Sequence, residues 1–292
     1  MKREPMDKEA GMREEIDRLV KAGELETLVK RLERARLPDV RQAIEEVVDA
    51  PDREGSLLDL GKSLAERKEP AARQLATGLA AAGYGKDRDE SLAVLRRLAD
   101  DPDWTVRDSA GSALGTLLEQ DFARVSESLR GWSGAASPAV RRVVLTAAMG
   151  AAETRRPEWA EPLLKLVEPL LTDREPAVRR TLGPLVLGTS LLEAYPDLTF
   201  EYLAKWSTST DEQTLWNVAM AFSSSGAFPI AKKALIILRK LSLDERRLVW
   251  RAVASAMWKL GRKKPEIIRP ELAQWLEDER RVEVAREALK HL

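Results

Sequence analysis

Cysteine is absent from the 292 residues, which excludes disulfides, thiolate metal sites and cysteine nucleophiles. The single histidine, His291, leaves no Ser-His-Asp triad and no His-rich metal cluster within one chain, so neither a metal site nor a cofactor is expected. No apolar run approaches the roughly 20 residues of a membrane-spanning helix, and the opening MKREPMDKEAGMREE lacks the apolar core of a signal peptide. These absences predict a soluble, cytoplasmic protein with no membrane partner. Aromatic residues are scarce at 5%, yet eight of them are Trp, an unusual balance for a core built from Ala, Leu and Val.

Charge of either sign is not lacking, but it cancels: 48 Lys and Arg stand against 48 Asp and Glu. The cancellation is uneven. Residues 201–292 carry 17 basic against 12 acidic side chains, a net of +5 that residues 1–200 offset. Such asymmetry points to an acidic partner for the C-terminal part, or to no more than solvated helix faces.

What the chain does hold is a repeat. The stretch DDPDWTVRDSAGSALGTLL (100–118) reads as an acidic turn followed by a helix opening at Val106-Arg107 and burying Ala110, Ala113, Leu114 and Leu117. The same opening recurs at Val40-Arg41, Ala72-Arg73, Val140-Arg141, Val178-Arg179 and Trp250-Arg251, with degenerate copies at Leu215-Trp216 and Val284-Ala285. Successive steps are 32, 34, 34, 38, 37, 35 and 34 residues. A period near 35 with two amphipathic helices per unit and no strand pattern predicts an all-α, right-handed α-solenoid of about eight HEAT-like repeats. It is expected to form a single array over 1–292, with residues 1–23 as an N-terminal cap and repeats from 24 onward.

Helix pairs are predicted at 24–36 and 39–48, 56–67 and 70–82, 90–99 and the helix of the 100–118 stretch, 123–132 and 138–151, 158–171 and 176–192, 198–206 and 212–223, 229–241 and 244–260, and 265–276 with 279 to the end, after a capping helix at 11–22. Pro51 closes the first pair. Pro38, Pro70, Pro138 and Pro176 each sit three residues before the signature arginine, where a proline in the first helical turn loses no hydrogen bond. Pro169 and Pro184 fall inside helices and predict kinks. Leu98, Trp132, Trp206, Leu241 and Trp275 share one position of the first helices, which reads as packing between repeats.

The recurring arginines have two readings. Arg107, Arg141 and Arg179 should lie at equivalent places on successive second helices, with at least two of them paired to Asp or Glu in a ladder that sets the stacking. Arg142 and Arg180 follow them about 100° further round the helix and spread positive charge over the face the second helices line. In solenoids of this kind that face is concave, and guanidinium groups along it suit a phosphate backbone. The candidate DNA contacts are therefore Arg141, Arg142, Arg179, Arg180, Trp216, Arg247 and Arg251.

The order of DW-x-V near Trp104, RGW near Trp132, VRR at Val140 and Val178, RPE at Arg156, YPDL at Tyr195 and LAKW…T-x-W at Leu203 resembles the bacterial DNA alkylation repair family, HEAT-like-repeat proteins that include alkylpurine DNA glycosylases. The resemblance covers about residues 92–222. It implies duplex DNA held on a concave, basic face. It also implies catalytic roles for an Asp four residues after a Trp, an Arg one repeat later and a second Trp beyond. Trp104 and Asp108 match the first pair and Arg142 matches the Arg. The second Trp has no counterpart, since that repeat holds Arg180 and Thr181 there and Trp216 lies one repeat further.

Apart from the resemblance, a carboxylate between an indole and a guanidinium suits stabilisation of the positive charge that develops as a cationic base departs, or activation of water. An Asp at this place equally suits a helix start, where the dipole favours negative charge. The expected function is a DNA-binding protein similar to alkylation repair glycosylases, with weak or absent base release. The alternative is a non-enzymatic protein-interaction scaffold. A monomer is expected in either case, with duplex DNA or a protein on the concave face.

Overall fold

The computed structural model describes residues 5–33, 35, 37–49 and 56–292. Among them every regular element is helical. Two compact units divide the chain, Met1–Phe122 and Ala123–Leu292. In the first, the cap α1 (Pro5–Lys21) precedes the pairs α2 (Leu25–Leu32) with α3 (Leu37–Asp49), α4 (Leu57–Ala65) with α5 (Pro70–Ala82), and α6 (Arg88–Leu98) with α7 (Trp104–Gln120). The second unit begins within α8 (Phe122–Trp132), which pairs with α9 (Pro138–Glu153). There follow α10 (Ala160–Val167) with α11 (Pro176–Thr181) and α12 (Leu192–Ala194), then α13 (Pro196–Trp206) with α14 (Glu212–Ala221), α15 (Ala231–Leu241) with α16 (Arg247–Lys263), and α17 (Pro265–Leu276) with α18 (Val282–Leu289). The repeat spacing therefore translates into an all-α solenoid of helix pairs. Pro51 and Arg36 lie outside the described residues.

Within each unit the second helices stack on one another: α5 lies between α3 and α7, and α14 packs against α16. Small side chains permit this. Ala71, Ala72, Leu75, Ala76, Leu79 and Ala80 of α5 are all buried, so neighbouring backbones approach across alanine rather than across bulky side chains. The first helices carry the larger anchors. Trp206 and Trp275 are buried as the shared position predicts, and their indole N–H groups donate to Glu168 and Glu271 at 2.7 and 2.8 Å. Trp132 is half-buried.

Helix starts follow local chemistry. Asp87, Asp103 and Asp211 cap α6, α7 and α14 by accepting backbone N–H bonds at 3.0, 2.8 and 2.7 Å. The cap at Asp103 starts α7 at Trp104, two residues before the expected Val106. Proline opens α5, α9, α11, α13 and α17. Gly23, at φ 69°, ends the helical cap in the left-handed conformation that glycine adopts at little cost.

The fifth repeat departs most from expectation. Its first helix is not continuous over 158–171 but gives way to tight 3₁₀ turns at Pro157–Trp159 and Glu168–Thr172, the second around Pro169. Its second helix widens into a π-helix from Leu182 to Leu191, around Pro184. Proline supplies no N–H for the normal ladder and its ring crowds the preceding turn. The Pro184 carbonyl accepts from the hydroxyls of Thr189 and Ser224 at 3.1 and 2.5 Å. Gly188 lets α14 and the turn after it lie directly against the widened segment, since a Cβ there would meet the Ala221 carbonyl and Ser224.

No described helix is long and apolar enough to cross a membrane.

Candidate nucleic-acid interface

The second helices begin with a repeated guanidinium device. Arg73, Arg107 and Arg141 each donate from Nη1 to the carbonyls six and five residues earlier, at 2.6–3.0 Å, tying the preceding turn to the helix it starts. Arg73 and Arg141 also reach forward to the next repeat, with Nε 2.6 Å from Asp101 and from Asp173 respectively. Those aspartates in turn accept the backbone N–H two residues on, at 2.8 and 2.9 Å, which shapes the entrance to α7 and α11.

The ladder is shorter than expected. Of Arg107, Arg141 and Arg179, only Arg141 meets a carboxylate among the described residues. For Arg179 the reason is local sequence: the turn of the sixth repeat, STST, holds no acid where Asp101 and Asp173 stand. Arg179 lies over the Trp216 ring instead, 5.4 Å from its centroid, and its Nε is buried without a hydrogen-bond partner.

The doubled arginines are placed differently. Arg180 is exposed on α11, and Arg247 is exposed at the first position of α16; neither makes a hydrogen bond or ion pair among the described residues. Arg142 is half-buried on α9. Arg251 is exposed, with Glu287 at 3.7 Å and the Trp250 ring centroid at 5.7 Å. Trp216 is half-buried under Arg179 rather than presented to solvent.

In the first unit, Trp104 opens α7 with 56% of its surface exposed, the most exposed of the tryptophans. Asp108 is half-buried one turn later on the same side of the helix. The start of α7 is braced on both flanks. Asp103 accepts from the Thr105 hydroxyl at 2.5 Å, which holds its carboxyl below the usual range, and Asp101 is held by Arg73. A rigid helix terminus thus carries an exposed indole and a carboxylate. Among the described residues no cluster of His, Asp or Glu is arranged to hold a metal.

A family model described as DNA alkylation repair enzyme matches residues 35–205. The chain belongs to this DNA alkylation repair enzyme family. The matched span contains Trp104, Asp108, Arg141, Arg142, Arg179 and Arg180, whereas Trp216, Arg247 and Arg251 lie beyond it. Membership supports a role of the DNA-repair kind for the chain. Among solved structures, the chain is similar to smu.31 from Streptococcus mutans UA159, with 20% identity, 72% of this chain and 97% of that one covered, and a TM-score of 0.46. It is also similar to an engineered protein at 21% identity, covering 95% and 80% of the two chains, with a TM-score of 0.36. A designed armadillo repeat protein in complex with a (KR)4 peptide matches at 16% identity over 81% and 99%, with a TM-score of 0.29. No curated protein matches the chain.

Sequence reasoning missed two arginines that do for the later repeats what Arg73 and Arg141 do for the earlier ones. Arg246 grips Asp244 of its own turn and reaches back to the Thr210 carbonyl at 2.7 Å. Arg281 pairs with Asp278 and reaches back to the Ser242 hydroxyl at 3.0 Å. The legible signal was an Asp two or three residues before an Arg in the turn ahead of each second helix.

Proposed function

We propose that this repair-family protein binds duplex DNA on the face lined by the second helices, the concave one in arrays of this kind, with arginines of the second unit on the phosphates. The observation that carries the reading is the free state of Arg180 and Arg247. Both are exposed and unpaired among the described residues, in a chain where Arg73, Arg141, Arg246 and Arg281 are all engaged with carboxylates. Guanidinium groups without an internal counter-ion are the ones a phosphate can engage without first breaking a bond. The excess of positive charge over residues 201–292 acts in the same sense.

For catalysis the reading assigns Asp108 the central role, with Trp104 on its helix and Arg142 as the third residue of the family pattern. An ionised carboxylate near the sugar would stabilise the positive charge that grows as an alkylated purine leaves, and an exposed indole would shield that charge from water. With Arg180 and Thr181 where the pattern calls for a second Trp, base release is expected to be weak or absent.

The test is a base-release assay on alkylated duplex DNA, wild type beside Asp108→Asn. Release that disappears in the variant while duplex binding persists supports a catalytic Asp108. No release by wild type retires the glycosylase role, and no duplex binding even at low salt leaves the protein-interaction scaffold as the surviving function.

A further inference from the structure

The second unit contains an open cleft of about 280 Å³ between the turn preceding α16 and the start of α18, with Asp244, Glu245, Trp250, Arg280 and Glu283 among its walls. Small-molecule pockets run from roughly 300 to 1,000 Å³, so this cleft has room for one flat ring system and little more. Its charges are not all available. Asp244 is held by Arg246 at 2.6 Å, and Glu283 is paired with Arg286 at 2.9 Å. Two groups remain. Glu245 is exposed and makes no ion pair or hydrogen bond among the described residues, and the Arg280 guanidinium is likewise unpaired there. Trp250 is half-buried in the wall, and Arg251, 5.7 Å from its ring centroid, does not line the cleft.

One free carboxylate, one free guanidinium and an indole surround a space that is close to neutral once the paired acids are discounted. That combination does not select a simple polycation. It suits a ligand with an aromatic ring, a hydrogen-bond-donating edge and an anionic group. A carboxylate only accepts. Of the common nucleobases, guanine presents two adjacent donors, N1–H and the N2 amino group, on its pairing edge; adenine and cytosine place a ring acceptor beside their amino group, and thymine flanks its one N–H with carbonyls. Stacking on an aromatic side chain is worth about 1–3 kcal/mol per base, and a guanidinium suits the phosphate.

We propose that this cleft binds a single guanine nucleotide, the base against Trp250, its N1–H and N2 amino group donating to Glu245 and its phosphate taken by Arg280. The shared chemistry is an unpaired guanine with a 5′-phosphate, whether free or within a strand. The proposal is independent of duplex binding on the second-helix face.

Calorimetric titration of the full chain tests it, with GMP, AMP, CMP, guanosine, spermidine, an oligothymidine and the same oligothymidine carrying one guanine. GMP should bind at least about tenfold tighter than AMP or CMP. Glu245→Gln should remove that preference, a loss of about tenfold or more for GMP, and Arg280→Ala should make GMP bind no better than guanosine. Both positions are exposed, so the variants keep the fold, which a thermal melt verifies. Tighter binding of the guanine-bearing oligothymidine than of GMP identifies an unpaired base in a strand as the ligand; equal or weaker binding identifies the free nucleotide. The proposal is overturned by no binding of either guanine ligand, by equal binding of AMP or CMP, by an unchanged affinity in Glu245→Gln, or by binding of spermidine in preference to GMP. A duplex titration alongside keeps the two readings apart, since either can fail while the other holds.

Discussion

Arg141 holds Asp173 through two nitrogens, Nε and Nη2, at 2.6 and 3.3 Å, while its remaining nitrogen donates to the carbonyls of Ala135 and Ala136. One side chain therefore closes its own turn and docks the next. The arginine keeps 16% of its side-chain surface exposed and the aspartate 8%, so the pair is shielded from salt and water. Its guanidinium is held above its ordinary value, first by the hydrogen bond to Asp173. Each end is positioned by further bonds, and removing either leaves the other buried without a counter-charge.

Arg141→Ala is accordingly expected to destabilise the protein by about 3 kcal/mol, the scale for breaking a buried pair by deleting one partner. Urea unfolding measures it, and the double variant Arg141→Ala with Asp173→Asn should be no less stable than the single one. A loss below about 1 kcal/mol would show that the pair does not dock the repeats.

Arg180→Gln and Arg247→Gln should behave in the opposite way. Neither side chain has an internal partner among the described residues, so the thermal midpoint should stay within about a degree of wild type, while duplex affinity falls. Each variant should lower the slope of log affinity against log salt by roughly one, the value for one lost phosphate contact. Anisotropy titrations at several salt concentrations read this directly; an unchanged slope removes that arginine from the interface.

Gly188→Ala tests the packing of the widened helix. A Cβ at this position would press on the Ala221 carbonyl and lie 2.8 Å from Ser224. Backbone cannot retreat as a flexible side chain can, so overpacking of about 2–3 kcal/mol is expected. Gly85→Ala, with open space around the added carbon, is the control and should cost little.

Glu271 links stability to pH. The Arg239 hydrogen bond, followed by the Trp275 indole N–H, holds its carboxyl below the ordinary value of 4.5. A carboxylate depressed in the folded state contributes stability that is complete above its unfolded value and is lost as pH falls through the folded one. Stability should thus decline on acidification below about pH 4.5, and Glu271→Gln should flatten that part of the curve while lowering stability at neutral pH. Denaturant titrations between pH 3 and 7 decide it; an unaltered pH profile in the variant would assign the acid sensitivity elsewhere.

The all-helical class, the repeat number and the positions of the turns were determined by the sequence alone, because a period near 35 residues, proline in first turns and one apolar face per helix are local properties. The predicted boundaries of α5 and α17 coincide with the observed Pro70–Ala82 and Pro265–Leu276. Tertiary structure decided what no local pattern carries. Arg141 and Arg179 sit at the same signature position, yet one is spent on Asp173 and the other lies over Trp216, because the partner comes from the following repeat and only one of those turns holds an acid. Trp104 and Trp216 are both tryptophans near the start of a second helix, but one is exposed and the other half-buried beneath a guanidinium from the repeat before it. The cleft beside Trp250 has walls drawn from two turns more than thirty residues apart, so it exists only once the helices have stacked. Its separation in sequence is the physical reason that periodicity, which reads neighbours along one helix, is blind to it.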